Sequence, residues 1–498
     1  MSIIYSIYSI IMKCYYCCCY HSFLSRELPL YDINIQYIIY NIYRARVTYI
    51  LATFSKPAFS TQKRINLLQL AIDRFRGALN LNPRALDAMF NLKQALSSFG
   101  EICLDEVSEQ AALPFFKEAC ELGDRVFSFQ EEVYKQHHGL HEYNHDHDHF
   151  EQDSVITAVN KDEELYDEEG DAITINSLIE TLTTSAEDLN NLSYITEDAT
   201  ESEKIFNEAI EKLKKAEELA QQAQALQTKT TEEATTNQEN ENGKREGEGE
   251  GEGEEEEEEE EIDLNTIYST YATILSSRGE HLFNTMGIFD AIFFENALEY
   301  QNKVIDSIPE TSNSQLVYQQ KAQELCNKGD ILCTFAETLM NNGESIDEHA
   351  PSQEMYREAL AIYEKALTFE DSNNSIICKI GDMNLTLANN YLLLSQNKQD
   401  DAYQTMLQLI RKGLDVYKKA LKNSTEQPVE PEIYLRIAKG LSYFDDLTRQ
   451  CQGMLQKFVQ MGGSLEVLED DRQFVNFDFS DDIRSTDWFI EGMKQLDN

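Results

Sequence analysis

The 498-residue sequence predicts an all-α protein: a helical-repeat solenoid interrupted by a disordered acidic insertion. Three observations lead there. Apolar residues recur at intervals of three and four over most of the chain, the period of one helix face. A triple of small, large and small residues returns again and again at one fixed spacing. No stretch has the two-residue alternation of a half-buried strand.

Taken in order, residues 1–53 form an anomalous segment rich in Ile, Tyr and Cys, opening "MSIIYSIYSIIMKCYYCCCYHSFL". It lacks the basic start and the small-residue cleavage site of a signal peptide. Lys13 and His21 break its apolar run before the roughly 18–20 residues that a membrane span requires. It reads as a membrane-associating segment, a targeting peptide, or, our preferred expectation, a stretch outside the functional protein. No membrane partner is expected unless this segment is genuine.

Residues 61–227 read as an N-terminal helical half. It contains a His- and Asp-rich loop at 136–170. Residues 228–262 carry "EGEGEGEGEEEEEEEE" and almost no apolar side chains, so they cannot bury enough surface to offset the entropy of ordering and read as a disordered linker. Residues 263–460 read as a C-terminal helical half. The remainder, 461–498, is an acidic and aromatic capping tail with the only tryptophan, Trp488.

The repeat is clearest in "LQLAIDRFRGALNLNPRALDAMFNLKQAL". Ala71, Phe75 and Ala78 share one helical face: the small residues admit a neighbouring helix and the ring fills the groove between them. Pro83 ends the helix. The same face returns at Ala112, Phe116 and Ala119, at Ala359, Tyr363 and Ala366, and at Gly413, Tyr417 and Ala420, with a weaker copy at Ala209, Leu213 and Ala216. Faces suited to a preceding helix appear at Met89, Leu92 and Leu96, at Asn384, Leu387, Ala388 and Tyr391, and at Tyr434, Ile437, Ala438 and Leu441. Two irregularities stand out. Lys93 occupies a position where a small residue is expected, which predicts a splayed pair. The helix that should precede Ala71 would fall at about 52–65, where Pro57 and "FSTQ" make a poor helix.

These residues resemble the tetratricopeptide repeat, whose second helix carries Ala, Phe, Ala and Pro at the spacings of Ala71, Phe75, Ala78 and Pro83. The resemblance implies a solenoid with a concave groove for peptides or helices, and scaffold or co-chaperone roles. No set of groove lysines and asparagines for clamping a C-terminal carboxylate is evident. In organisation, the acidic insertion between helical halves is similar to that of interrupted-repeat histone chaperones. The irregular repeats and acidic character also resemble the fungal enhancer-of-translation-termination proteins.

The net charge of −47 discourages direct nucleic-acid binding and favours a basic protein client. The ten cysteines are scattered beyond the N-terminal group, as reduced thiols of a cytoplasmic or nuclear protein would be. The rival chemistry lies in "QHHGLHEYNHDHDHF", where His141 and His145 form an H-E-x-x-H with Glu142, and His137 extends the stripe. On a helix this spacing gathers imidazoles for zinc, with the glutamate as general base. Against it, so dense a histidine tract produces the pattern by composition. Asp146 and Asp148 follow where a metalloprotease helix turns apolar. The expectation is therefore a non-enzymatic protein-binding scaffold with no cofactor. An acidic escort for a histone or ribosomal protein is the second reading and a zinc hydrolase the third.

Overall fold

The computed structural model describes residues 30–53, 60–137, 173–241, 264–312, 314–343, 350–423, 431–464 and 477–496. Every regular element among them is helical. The helices are α1 (Leu30–Thr53), α2 (Thr61–Leu81), α3 (Leu86–Glu106), α4 (Glu109–His137), α5 (Ile175–Tyr194), α6 (Ala199–Glu241), α7 (Leu264–Met286), α8 (Ala291–Ser307), α9 (Gln315–Asn342), α10 (Ala350–Phe369), α11 (Asn374–Leu394), α12 (Asp401–Asn423), α13 (Pro431–Leu441), α14 (Thr448–Gln460), α15 (Asp481–Arg484) and α16 (Asp487–Leu496). Within each unit, helices that follow one another in sequence pack side by side, and the fold is a tetratricopeptide-like helical-repeat solenoid. The chain divides into two compact units, 1–270 and 271–498.

Local signals start several helices. The Thr174 hydroxyl accepts from the Ser177 amide, and the Asp198 carboxylate accepts from the Thr200 and Glu201 amides. Asp290 caps α8 through the Ile292 amide, and Asn373 caps α11 through the Ser375 and Ile376 amides. Each satisfies first-turn donors that have no partner inside the helix. At the other end of α8, the buried Lys321 ammonium donates to the Ile308 carbonyl and to the Ile305 carbonyl, which also accepts from the Ile308 amide.

In the N-terminal unit one core runs from Ile38 through Phe75, Met89 and Phe116 to Ile195. It supplies the helix that the sequence reading lacked. The partner of α2 is α1, within the segment set aside as anomalous. Ile38, Ile42, Ala45 and Ala52 are buried against Leu68, Ala71 and Phe75. Arg74 Nη1 donates to Thr48 Oγ1 at 2.6 Å and Arg64 Nε to the Ala52 carbonyl at 3.2 Å. The array therefore begins by residue 30, and Pro57 lies outside the described residues. Isoleucine and tyrosine recur on every side of α1, so no apolar stripe marks its buried face in sequence. Residues 1–29 lie outside the described residues.

Lys93 is the second correction. The pair it belongs to is not splayed, because α3 packs along α4 and Lys93 is 1% exposed. Its ammonium lies 2.8 Å from Asp188 Oδ2 on α5, and Ser97 Oγ donates to Asp188 Oδ1 at 2.5 Å. The small residue the repeat needs stands across the gap. A Cβ on Gly123 of α4 would come within 2.4 Å of Ser185 Oγ and 3.2 Å of Lys93 Cε. A long side chain on one helix is matched by none on the other.

Among the described residues of the C-terminal unit, hydrophobic cores follow one another along the chain. Their pairs share a device that the spacing of small and large residues did not reveal. The ring of an aromatic residue on the second helix sits against a glycine of the first: Phe294 on Gly279, Tyr363 on Gly329, Tyr417 on Gly381. An added Cβ at Gly381 would lie 2.6 Å from the Tyr417 ring. Twice the glycine precedes an aspartate that takes the phenol and a cation from the next first helix. Tyr363 Oη donates to Asp330 Oδ1 at 2.6 Å, which also meets Lys379 Nζ of α11 at 2.5 Å. Tyr417 Oη donates to Asp382 Oδ1 at 2.5 Å, which meets Arg436 Nη1 of α13 at 2.8 Å. Past α14, Phe477, Phe479, Ile483 and Phe489 close the last core, with Tyr443 Oη donating to the Asp478 carbonyl.

The helix α6 continues to Glu241, beyond residue 227 where the disordered linker was expected to begin. No glycine or proline occurs between 228 and 241 to stop a helix already anchored on a packed face. The acidic run 246–261 lies outside the described residues.

Candidate binding groove

The residues singled out for repeat packing sit in the cores. Ala71, Phe75, Ala78, Ala112, Phe116, Ala119, Ala359 and Ala366 are fully buried, as are Tyr363, Tyr417 and Ala420 to within 2%. Gly413 is buried too, in α12, where a Cβ would approach the Gly381 carbonyl oxygen to 3.2 Å. Pro83 is exposed in the turn between α2 and α3, beside Asn82 Oδ1, which accepts from the Arg84 amide. The buried members of this set are packing residues and face no solvent. Asn384, Leu387 and Ala388 are buried in α11, while Tyr391 Oη accepts from Arg357 at the surface.

The histidine candidates fall elsewhere. His137 is the last residue of α4, while His141 and His145 lie outside the described residues. Among the described residues, no three His, Cys, Asp or Glu side chains are grouped to hold a metal ion. The described cysteines are free thiols. Burial pushes Cys326 up to about 11 and Cys333 and Cys451 up to about 12, so they are neutral and poor nucleophiles near neutral pH. Among the described residues, no helix is long and apolar enough to cross a membrane.

A concavity lies in the N-terminal unit. A groove of about 810 Å³ is lined by the first helices of three successive pairs, α1, α3 and α5, with one residue from α4. From α1 come Arg46, Tyr49 and Ile50. From α3 come Leu86, Asp87, Phe90, Asn91 and Gln94. The start of α5 supplies Ile173, Thr174, Asn176, Ser177 and Glu180, and α4 supplies Gln130. Asp87, Phe90, Asn91 and Gln94 follow one another at the spacing that keeps them on a single face of α3.

Its floor is polar and built. Gln130 is 6% exposed, and its Oε1 accepts from Thr181 Oγ1 at 2.7 Å. Asn91 is 5% exposed, and its Nδ2 donates to the Asp87 carbonyl at 2.7 Å. The Tyr49 hydroxyl shares a 3.4 Å hydrogen bond with Ser98, and burial raises its pKa, so it stays a neutral phenol. The lining offers no histidine, cysteine or lysine. Chemically it can bind through amides, rings and a few charges. Sequence reasoning missed it because α1, one of its walls, had been set aside, and because Gln130 reaches the wall from a second helix.

No protein-family profile matches the chain, and no curated protein matches it. Similar solved structures include that of the hypoxic regulator of sterol synthesis Nro1, described as a nuclear import adaptor. It is 14% identical, with 82% of this chain and 95% of that one covered at a TM-score of 0.33. The human IFIT1 dimer with m7Gppp-AAAA is 10% identical, covering 94% and 81% at 0.29. The P58(IPK) TPR domain is 11% identical, covering 92% and 97% at 0.14. These likenesses are too distant to carry a function across.

Proposed function

We propose that the chain is a non-enzymatic interaction scaffold whose N-terminal unit receives a segment of a protein client in the groove across α1, α3 and α5. The observation that supports this reading most directly is the groove itself. Three consecutive first helices line it, and its buried floor is amide rather than acid–base machinery. A solenoid offers such a surface because each pair buries one face on its neighbours and leaves the other open. The cytoplasm or nucleus is the compartment that suits free, buried thiols.

Quantitative mass spectrometry of proteins co-purifying with the full chain tests the reading. Phe90→Ala and Gln94→Ala, both half-buried in the groove wall, should lose a defined subset of partners while leaving the helical content unchanged. An identical partner set for both variants would sink it.

The charge favours a basic client within this reading. The chain carries 89 Asp and Glu against 42 Lys and Arg, and 12 glutamates fall in residues 246–261. Deleting 246–261 should slow capture of such a client at low salt and flatten the salt dependence. A slope that does not change would leave the scaffold without its acidic-escort role.

A further inference from the structure

The first pair of the array differs in charge from the chain that carries it. Together α1 and α2 hold six arginines and lysines against two carboxylates, Asp32 and Asp73, in a chain of net charge −47. Two of the six are drawn together. Arg74 Nη1 reaches from α2 to donate to the Arg44 carbonyl at 3.3 Å and to Thr48 Oγ1 at 2.6 Å. Its guanidinium is held below the usual arginine range, by partial burial first and by the positive charge of Arg44 second. Arg44 is exposed, 5.3 Å from the centroid of the Tyr40 ring it lies over. Arg76 has Glu118 as its counter-ion, but neither Arg44 nor Arg74 is ion-paired with a carboxylate among the described residues. Beside them runs a stripe of α1 that takes no part in the core. Ile38, Ile42, Ala45 and Ala52 are buried on one side of the helix. Tyr40, Tyr43, Val47 and Leu51, spaced at three and four, lie on the other side and are half-buried.

We propose that this end of the array docks on an anionic phospholipid surface. Arg44 and Arg74 take headgroup phosphates, which guanidinium groups bind with charge-assisted hydrogen bonds. The stripe from Tyr40 to Leu51 enters the interface beneath them, as the apolar side of a surface-lying helix does. Tyrosine suits that boundary, having an apolar ring and a polar hydroxyl. Other occupants fit one half of the surface only. A second copy of the chain brings the same uncompensated cations. Residues 1–29 offer the pair one carboxylate, Glu27, against Lys13 and Arg26. An acidic peptide would satisfy the charges and leave the apolar stripe in water. The net charge of −47 does not oppose the docking, because exposed charges beyond a Debye length of about 8 Å are largely screened.

The experiment is flotation of the full chain with vesicles of phosphatidylcholine alone, and of phosphatidylcholine mixed with phosphatidylserine or with phosphatidic acid. Binding is expected to both mixed vesicles and not to phosphatidylcholine alone, and it should fall as salt is added. Arg44→Gln and Arg74→Gln should each weaken it about fivefold, while Arg44→Lys retains it. Val47→Asp should weaken it at least about tenfold. Arg44 is exposed, so its variant keeps the test valid if Arg74→Gln, which loses two hydrogen bonds, fails to fold. Equal binding to neutral and mixed vesicles, or none to any, overturns the proposal. So does binding that Arg44→Gln and Val47→Asp leave unchanged. Deleting residues 1–29 should leave vesicle binding in place. Loss on deletion would move the contact into that segment, and binding gained only on deletion would make that segment the occupant of the stripe; either overturns the choice of a lipid surface. Inorganic phosphate or a phosphotyrosine peptide that binds while the mixed vesicles do not would assign the arginine pair to a soluble phosphate and overturn it too.

Discussion

In the N-terminal unit the charge that joins neighbouring first helices is carried forward by a lysine: Lys93 of α3 reaches Asp188 of α5, and both are at least 96% buried. In the C-terminal unit the order is reversed. Asp330 and Asp382 stand on the earlier helix, Lys379 and Arg436 on the later one, and a tyrosine from the intervening helix shares each aspartate. Each arrangement is made possible by a missing side chain, Gly123 in one unit and Gly329 or Gly381 in the other. The lesson is that a degenerate repeat keeps the requirement for close approach, with Phe116 on Gly100 in one unit as Tyr417 is on Gly381 in the other, while changing which sign of charge each helix carries. Burial then sets how much each joint contributes. A buried pair broken on one side strands an uncompensated charge, whereas a half-exposed pair hands its partner to water.

Lys93→Met should have the largest effect, about 3–5 kcal/mol, because Asp188 remains buried without its cation. Adding Asp188→Leu should restore much of it. Urea unfolding followed by circular dichroism, with hydrogen exchange on α3 and α5, measures both. A loss below about 1 kcal/mol would show that the pair is hydrated, and the contrast between the units would collapse.

Alkaline pH should separate the units next. Tyr363 and Tyr417 have pKa values raised first by burial and then by nearby groups that include Asp330 and Asp382. The folded chain therefore keeps protons that the unfolded chain releases above about pH 10, and stability falls as pH rises from there. The slope is about 1.4 kcal/mol per pH unit for each tyrosine. Unfolding monitored at Trp488, which is in the C-terminal unit, should steepen above pH 10. Tyr363→Phe with Tyr417→Phe should make it shallower, while Tyr356 and Tyr443, whose pKa values burial also raises, keep the rest; an unaltered slope would mean that the two phenols ionise in place.

Gly381→Ala should cost about 1–3 kcal/mol by driving a methyl into the Tyr417 ring. Gly77→Ala, with open space around its Cβ, should be neutral or slightly stabilising. Equal outcomes would remove the close-packing argument. The smallest change belongs to Lys379→Met, at most about 0.5 kcal/mol, since Lys379 and Asp330 are 31% and 47% exposed. A loss near that of Lys93→Met would mean that position in the array, rather than burial, sets the strength of these joints.

The sequence by itself determined the class of architecture and its packing faces. A triple such as Ala71, Phe75 and Ala78 is a local pattern, and a helix that buries it must put all three against a neighbour whatever that neighbour is. It likewise exposed Lys93 as a residue out of place. What it could not contain is the partner that makes Lys93 acceptable, because Asp188 lies 95 residues away and Gly123 on a different helix. The same limit hid α1, whose apolar residues surround the helix without a stripe and become a face only when α2 covers one side. It hid the groove as well. Asn91 and Gln130 are ordinary amides in their own helices, and only the packing of successive helices brings them to one floor. Periodicity is a property of neighbours in sequence; compensation of charge and volume is a property of neighbours in space.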